Sequence, residues 1–562
     1  MRDIDLKDYG ITPANDSTLT ERLAGVLSLL REEKDIALHF EPGTYHFYPD
    51  HAPERMMYIA NHDEDGNKRI GLDLSGFRGL TLDGAGSDFV FHTEIVPFYL
   101  EDCQNVRLQH LQIDYARPVC SEGKIVSVSP QMTEIDIDPQ LYPWTIEDQT
   151  LVFAGENFRH RLTHWLEIDA KTNAPRCGCA DLYFTDHPGP EKQVCAQALR
   201  VSSHRVQLRL SGSETFFAAS RAGDTLILRH HPRSHPAFYV LDSANIRLEQ
   251  VKVYHAAGIA FLAERTKDIR LHGFDVCRRP NAQRLFTAIA DAAHFVNCEG
   301  RIEIKHCLFE NQLDDAVNVH GIYGVIRQKK EYNTLEFALI HDMQQGVYIA
   351  KPGQTLAILE KGTLQPVLTT KIQTITRKTP SLFEMTTEDD IPADVTQGDV
   401  LENLTEKPDV HLESCVFRHN RARGVLLTCR TAQVRNCRFE TAGAAVLLEG
   451  DTRDWFESGA VTQIELNGNE FLDCAYVPDW GRAPIQVTPS AEFSPQKFYH
   501  GQLVLRENRF HLIDERLLYA RNIAVIQMEN NHLKRSMTYP PVAGKAYDLE
   551  QVGECKRLYT CI

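Results

Sequence analysis

The sequence has no run of 18 or more apolar residues, and its first residues, Met1 to Asp5, are mostly charged. A membrane-spanning helix needs about 20 apolar residues, and a signal peptide needs an apolar segment behind its charged start. The sequence therefore predicts no membrane span and shows no signal peptide. The compartment stays open: periplasmic or secreted if a signal peptide has been removed, and otherwise cytoplasmic.

Basic residues are fewer than acidic ones. Lys and Arg number 60 against 77 Asp and Glu, which gives a net charge of −17. Proteins that bind nucleic acids need a basic surface to neutralise phosphates. The sequence therefore predicts no nucleic-acid partner and favours a neutral, hydroxyl-rich ligand. Its 43% apolar and 24% charged residues are typical of a folded, water-soluble chain.

The 14 cysteines contain no typical zinc-binding pattern, because Cys177 and Cys179 are one residue apart and lack a second pair at zinc-site spacing. Several others fall at or near one recurring position of a repeat: Cys307, Cys415, Cys437 and Cys474. A buried free cysteine behaves as a small apolar residue. We therefore expect a ladder of reduced thiols inside the fold.

That repeat is a short pattern of alternating apolar and polar residues. The steps from Val253 to Val276 and from Phe417 to Phe439 are 23 and 22 residues. Alternation with period two predicts strands, and this spacing is typical of one coil of a solenoid. The sequence therefore predicts an all-β fold, a right-handed parallel β-helix. The clearest copies are 106–113, 246–253, 269–276 and 302–309, and later copies end at Phe417, Phe439, Phe471 and Phe510.

Two long segments, 115–240 and 321–408, break the repeat and consist of strand-like runs and turns. Near their ends both carry a similar Gly-Asp turn, at Gly223 and at Gly398. We interpret them as two related β-barrel-like modules inserted into one β-helix. The predicted divisions are a cap helix after Asp16-Ser17-Thr18 with the first coils (1–114), the first module (115–240), central coils (241–320), the second module (321–408) and C-terminal coils (409–562).

Three acids stand out in the central coils. Asp314 and Asp315 interrupt the apolar run 311–321, and Asp291 precedes Asp314 by 23 residues, one repeat. We expect Asp291 to stack on Asp314 at about 4.8 Å. All three should lie on the exposed rim of a coil, since a buried unpaired carboxylate is costly, and their repulsion should raise at least one pKa. Such a cluster could hydrolyse a glycosidic bond or bind Ca²⁺; the residues favour catalysis but leave calcium and a structural role open.

Other polar residues fall near these acids. Aligning the coils by their closing Phe places Arg423 beside Asp315, because 417 minus 309 and 423 minus 315 are both 108. Arg421 and Arg423 are expected to pair with the acids or to bind hydroxyls, unless they form an ordinary ion-pair ladder. His294 and Asn318 are candidate hydroxyl partners, and Trp455 could stack on a sugar or serve only in packing.

Five segments in order resemble glycoside hydrolase family 110, the α-1,3-galactosidases. They are 254–264, 290–295, 311–321, 420–424, and 444–450 with 457–460. The resemblance implies a β-helix with inserted β-barrels and metal-independent, inverting hydrolysis of terminal α-1,3-linked galactose, from blood-group-B-type or linear glycans, without a cofactor. Its essential aspartates map onto Asp291, Asp314 and Asp315; we assign Asp314 as the general acid, with Asp291 and Asp315 positioning and deprotonating the water.

The expected substrate-binding residues, some of them in the matching segments, are Glu264, His294, Asn318, Arg423, Glu449 and Trp455. Two alternatives remain. A polygalacturonase-like β-helix hydrolase also uses clustered aspartates, although the sequence has no Gly-His-Gly or Arg-Ile-Lys segment and its negative charge disfavours polyuronate. A glycan-binding β-helix without catalytic activity would not require three stacked acids. The expected partner is a galactose-terminated oligosaccharide or glycoconjugate, and a homodimer is left open.

Overall fold

The structure is a computed structural model that describes residues 2–179, 181–183, 195–211, 219–495 and 497–558. Strands dominate it, and 31 of them form one sheet in which the coils pair mainly in parallel. The predicted all-β fold with a parallel β-helix is therefore confirmed. The strands before the first inserted segment are Arg2–Asp5, Lys34–His39, Thr44–Phe47, Glu54–Met57, Gly66–Asp73, Arg78–Phe91, Val96–Glu101 and Gln104–Tyr115.

Equivalent residues pair from coil to coil along the β-helix. Ile302 pairs with Val410, Phe309 with Phe417 and Val317 with Val425, all 108 residues apart. The strands between the inserted segments are Phe238–Leu241, Ala244–Val253, Phe261–Glu264, Lys267–Val276, Ala293–Val296, Glu299–Lys305, Leu308–Glu310 and Val317–Ile322. Those after them are Asp409–Glu413, Val416–Arg418, Val425–Leu427, Thr431–Arg435, Arg438–Glu440, Val446–Leu448, Glu457–Ser458, Gln463–Asn467, Glu470–Leu472, Ile485–Val487, His500–Arg506, Arg509–Leu512, Leu518–Glu529, His532–Arg535 and Tyr547–Leu558.

The interior of the β-helix consists of side-chain stacks that run along its axis. The rings of Phe417, Phe439, Phe471 and Phe510 follow one another at 4.8, 5.1 and 4.6 Å between centroids. Such offset aromatic contacts add to the free energy of burial. The repeat cysteines are buried and free, as expected: Cys307, Cys415, Cys437 and Cys474.

The predicted cap helix covers the N-terminal end of the solenoid. It spans Leu19–Leu30, and Asp16 Oδ1 accepts a hydrogen bond from Thr18 N at its start. Leu19, Leu23 and Leu27 are fully buried, so the helix closes a core that the first coil would expose. Short 3-10 helices lie at Leu6–Tyr9, Asp342–Gln344 and Pro478–Trp480. Within the described ranges, no helix is both long and apolar enough to cross a membrane.

The first inserted segment folds into antiparallel sheets with their own core. Seven strands pair in the order Leu182–Tyr183, His164–Ile168, Thr225–Arg229, Ser121–Ser129, Met132–Asp136, Arg205–Ser211 and Cys195–Arg200. Three more pair as Trp144–Glu147, Thr150–Ala154 and Arg159–Arg161. The β-helix resumes slightly before the predicted position 241, because Phe238–Leu241 already pairs with Val96–Glu101 and Phe261–Glu264.

The second inserted segment forms a closed six-stranded barrel. Its strands follow the order Gly324–Glu331, Thr334–Ala338, Leu382–Thr387, Pro366–Arg377, Thr355–Leu359 and Val400–Asn403. The Gly-Asp turns of the two modules match in detail: Gly223 has φ +100° and donates to Ile125 O, while Gly398 has φ +96° and donates to Ile326 O. This shared left-handed turn, which favours glycine, supports the interpretation that the modules are related.

Candidate active site

The three aspartates lie in a pocket, so the expectation of an exposed rim was wrong. Asp291 is 5% and Asp315 2% exposed, and 16% of the Asp314 side chain is accessible. Asp314 and Asp315 precede the strand Val317–Ile322 on a bend. Neighbouring side chains on a bend need not point to opposite faces as they would on a strand, and both acids therefore enter one pocket.

The register of the coils also differs by one residue from the predicted one. Ala293 pairs with Val317, an offset of 24, and Ala292 N donates to Asp315 O at 3.1 Å. Continuing that offset aligns Asp291 with Asp315 rather than with Asp314, because this coil is one residue longer than the predicted 23. Carboxylate oxygens of all three aspartates nevertheless lie within 4.8 Å of one another.

Arginines compensate for much of the cost of burying these acids. Arg423 donates to Asp315 from Nε and Nη2 at 2.9 Å each and from its backbone N at 2.8 Å, the position predicted by the alignment of the coils. Asp314 accepts from Arg421 Nη1 at 2.7 Å and from Arg233 Nη1 at 3.4 Å. Charge-assisted pairs of this kind stabilise buried carboxylates.

The pKa values of the three acids separate as a result. Burial raises the pKa of Asp314, but Arg421, Arg233 and Arg423 outweigh it and lower that pKa below its ordinary value. Burial raises the pKa of Asp315 to about 7 in spite of Arg423. Burial and the nearby Asp314 charge raise the pKa of Asp291 well above its ordinary value. The surroundings therefore favour protonation of Asp291 over protonation of Asp314.

A chain of hydrogen bonds leads from Asp291 into the protein. Asp291 Oδ2 is 2.7 Å from His294 Nδ1, His294 Nε2 is 2.7 Å from His320 Nε2, and His320 Nδ1 donates to Gly321 O at 2.8 Å. Burial lowers the pKa of His294 and of His320 to about 4 each. Both rings are therefore neutral at rest.

Glu457 reaches this chain from a distant segment. Its strand Glu457–Ser458 pairs antiparallel with Gly321 and Ile322. A Cβ atom at position 321 would collide with Ser458 Oγ, so the approach requires glycine there. Glu457 accepts from Asn61 Nδ2 at 3.3 Å and from Asn318 Nδ2 at 3.4 Å, and its Oε1 lies 3.4 Å from His320 Nε2.

Two adjacent cavities share lining residues that include Asp314. The cavity lined by all three aspartates, here called the inner cavity, has a volume of about 240 Å³, and the other, the outer cavity, about 630 Å³. The inner one is smaller than the roughly 300 Å³ at which pockets for drug-sized molecules begin, and suits a single sugar ring. Of the three acids only Asp314 lines both cavities, whereas Asp291 and Asp315 line the inner one alone.

Most of the predicted binding residues lie at these cavities. His294 and Asn318 line the inner one, and Arg423, Glu449 and Trp455 line both. One face of Trp455 is covered by His341, whose ring lies 4.3 Å away at an interplanar angle of 21°, so only the other face could meet a sugar.

Glu264 is the exception, and its assignment as a substrate-binding residue needs correction. It is 1% exposed, accepts a hydrogen bond from Ala60 N at 2.9 Å and lies 3.5 Å from Arg265 Nη1. It lines neither cavity. Glu264 ends the strand Phe261–Glu264, which lies one coil before the strand that carries His294. In that coil the loop residue Ala60 covers the Glu264 carboxylate.

Among the groups that contact the aspartates or the hydrogen-bond chain below them, sequence reasoning missed Asn61, Arg233, His320 and Glu457. Arg233 follows the unusual segment Arg229-His230-His231, whose concentration of polar residues at the end of the first module was the available signal. Asn61 had no signal, because its contact with Glu457 joins residues 396 positions apart.

The aspartate cluster could in principle hold a cation, since three carboxylate oxygens lie within 4.8 Å of one another. Calcium prefers six to eight oxygen ligands, roughly, with little competing positive charge. Here the oxygens of Asp314 and Asp315 are already paired with Arg421, Arg233 and Arg423. The donor set therefore favours proton chemistry over metal binding.

Comparisons with known proteins agree with this architecture. The family model described as GLAA-B beta-barrel domain I matches residues 121–213, and GLAA-B beta-barrel domain II matches residues 334–401. Alpha-1,3-galactosidase B of Bacteroides thetaiotaomicron is 28% identical over 96% of this chain and 87% of its own length. The predicted resemblance to glycoside hydrolase family 110 is confirmed.

Other α-1,3-galactosidases are similar to this chain over a comparable length. Alpha-1,3-galactosidase B of Akkermansia muciniphila is 29% identical over 94% of this chain and 66% of its own length. Alpha-1,3-galactosidase A of Bacteroides fragilis is 28% identical over 96% of this chain and 88% of its own. The similarity thus covers both the β-helix and the two inserted modules.

Proposed function

We propose that the protein is an exo-acting glycoside hydrolase that removes terminal α-1,3-linked galactose from glycans. The observation that carries this proposal is the convergence of three carboxylates at the junction of a small inner cavity and a larger outer one. A small terminal cavity fits one sugar at the end of a chain, and the outer cavity fits the remainder of the glycan. The names of the relatives supply the bond and the sugar.

The positions of the acids support the assignment of roles. The glycosidic oxygen of a bound substrate would lie where the cavities meet, and Asp314 is the aspartate that lines both, which suits the general acid. Asp291 and Asp315, in the inner cavity, suit the activation of water on the opposite side of the sugar ring.

Inversion of configuration is part of this proposal. Inverting pairs are typically about 6.5 to 9.5 Å apart, which leaves room for water. The nearest oxygens of these aspartates are within 4.8 Å in the free protein. Inversion therefore requires that substrate and water occupy the space between Asp314 and the other two acids.

The protonation state must change between the free and the reacting protein. Asp314 needs a proton when the bond breaks, yet in the free protein its arginine partners keep it ionised. Carboxylates this close titrate as one coupled group rather than independently. We therefore place a proton on Asp291 at rest and a proton on Asp314 in the reacting complex.

Product analysis tests the function. We expect the protein to release galactose from a Gal-α-1,3-Gal disaccharide and from a branched blood-group-B oligosaccharide, with β-galactose appearing first in the proton NMR spectrum. Comparison of the two rates measures the preference for branched or linear ends. Absence of galactose release at every pH would refute the proposal. A homodimer stays a prediction.

The pH dependence follows from the cluster. Burial raises the pKa of Asp315 to about 7, and the three aspartates titrate as one coupled group, so the cluster loses a proton as the pH rises through that range. Glu449, whose pKa burial also raises to about 7, ionises in the same range. Loss of the required proton leaves no acid to protonate the leaving oxygen. We expect kcat/KM to fall about tenfold per pH unit above about 7. Circular dichroism from pH 6 to 9 checks that the fold persists; a constant kcat/KM up to pH 9 would contradict the assignment.

Metal removal separates proton chemistry from calcium chemistry. Because arginines occupy the carboxylate oxygens, dialysis against EDTA should change kcat by less than about twofold. A matched sample receives excess CaCl₂ after the chelator. Loss of activity that calcium restores would favour a cation at the aspartates.

A further inference from the structure

The hydrogen-bond chain below Asp291 has a direction that its geometry decides. The oxygen of Gly321 can only accept, so His320 Nδ1 must carry a hydrogen atom. In a neutral ring His320 Nε2 then has a lone pair, and it must accept from His294 Nε2 at 2.7 Å. His294 Nδ1 is thereby left as an acceptor that faces Asp291 Oδ2 at 2.7 Å. With both rings neutral, the chain is complete only when Asp291 is protonated.

The same three groups have a second complete arrangement with the same number of protons. If Asp291 gives its Oδ2 proton to His294 Nδ1, and His294 gives its Nε2 proton to His320 Nε2, the two hydrogen bonds between side chains are kept with their directions reversed. His320 Nδ1 continues to donate to Gly321 O. The result is an ionised Asp291, a neutral His294 and a His320 imidazolium. The imidazolium would face Glu457 Oε1, 3.4 Å from Nε2, which supplies the compensating charge.

Building on the proposed function, we infer that His294 and His320 form a proton relay that converts Asp291 from a protonated resting carboxyl into the carboxylate that activates water. His320 acts through His294 and is a positioning residue, and Glu457 stabilises its charged form. The three-aspartate pattern does not predict this relay. His294 was predicted only as a hydroxyl partner, and His320 was not among the predicted site residues.

The relay balances through a full turnover. As substrate binds, Asp314 takes up one proton from solvent and the proton of Asp291 moves inward to His320. The Asp291 carboxylate then takes a proton from water through Oδ1 as the water oxygen bonds to the sugar carbon, while Asp314 gives its proton to the leaving oxygen. After the products leave, Asp291 releases the water-derived proton to solvent, and the relay proton returns from His320 to Asp291. No proton is gained or lost overall, as hydrolysis requires.

Burial explains why such a device is useful here. Asp291, His294 and His320 are each at most 5% exposed, so a proton on Asp291 has no direct route to bulk water once a sugar fills the inner cavity. Moving the proton to His320 keeps it within the protein, next to the Glu457 carboxylate. The charged and titratable groups that face the relay are Asp314, Asp315, Glu457, Arg233, Arg423 and His62.

The variant His320→Gln tests the relay, because glutamine can keep a hydrogen bond to His294 but cannot hold the extra proton. We expect kcat to fall roughly ten- to a hundredfold with little change in KM. The acidic limb of the kcat profile should also move upward by about one pH unit, since Asp291 must now lose its proton to solvent.

His272→Gln is the matched control. His272 Nε2 also meets a carboxylate, Glu303 Oε1, at 2.7 Å, but on the outer face of the β-helix away from both cavities. It should leave the rate and the pH profile unchanged. An unchanged rate in His320→Gln, or an equal decrease at every pH, would overturn the relay while leaving the proposed function intact. Wild-type protein that releases no galactose would instead refute the function itself.

Neutron diffraction on the wild-type protein tests the relay even if the variant does not fold. At rest we expect deuterium on Asp291 Oδ2, His294 Nε2 and His320 Nδ1. Deuterium on His294 Nδ1 in the free protein, with none on Asp291, would show that Asp291 is already ionised and would overturn the resting arrangement.

Discussion

Replacing Asp314 with Asn should lower kcat by roughly two orders of magnitude or more, the usual contribution of general acid catalysis. Asparagine keeps the shape of the side chain but cannot donate a proton to the leaving oxygen. Arg421 and Arg233 would still contact the amide oxygen, so the variant should fold. The measurement is galactose release from a Gal-α-1,3-Gal disaccharide, with thermal unfolding to show that the fold is intact.

The same loss is expected for Asp291→Asn and Asp315→Asn. Asp136→Asn is the matched control: Asp136 forms a two-pronged pair with Arg205 at 2.7 and 2.9 Å, as Asp315 does with Arg423, but lies in the first inserted module and lines neither cavity. Its rate should stay within about twofold of wild type. Normal turnover in all three site variants would refute the assignment of the aspartates.

Replacing Arg423 with Met should destabilise the protein by about 3 kcal/mol, because it leaves the Asp315 carboxylate buried without its partner. Asp315 is 2% exposed and depends on Arg423 for three hydrogen bonds. One of these, from the backbone N, survives the substitution. The measurement is the shift of the urea unfolding midpoint together with the thermal midpoint.

The double variant Arg423→Met with Asp315→Asn separates stability from catalysis. Removing the charge with its partner should restore most of the lost stability, since a neutral buried pair of similar volume costs little. Activity should stay as low as in Asp315→Asn alone. A double variant no more stable than Arg423→Met would mean that the arginine acts by packing its stem and not by pairing with Asp315.

The fold was largely predictable because its signal is local and repeated. Alternation within each coil reports which side chains face the interior, and the recurrent closing Phe aligns distant coils. This alignment placed Arg423 beside Asp315 correctly across 108 residues. It failed by one residue for Asp291, since the coil between Ala293 and Val317 has 24 residues. A single added residue in a turn leaves the apolar pattern unchanged and changes which acids align.

The burial of the acids was not predictable from their own segment. A pair of aspartates in an apolar run is costly to bury unless charges compensate it, and the compensating Arg233 and Arg421 come from other parts of the chain. Glu264 was expected to bind substrate because its segment resembles the family. Its carboxylate instead contacts Ala60 N and Arg265, away from the two cavities.

The β-helix could be predicted from the sequence because its signal is the spacing within and between neighbouring coils, and the same spacing carries the prediction that the three aspartates are the chemical centre. The surroundings that set the charges of those acids came from the folded structure alone. Asn61, Arg233 and Glu457 reach the pocket from a loop near the first coils, the end of the first module and a late coil. Periodicity predicts which face of its own strand a residue occupies. The contacts of these three residues depend instead on the paths of loops that are far apart in the sequence.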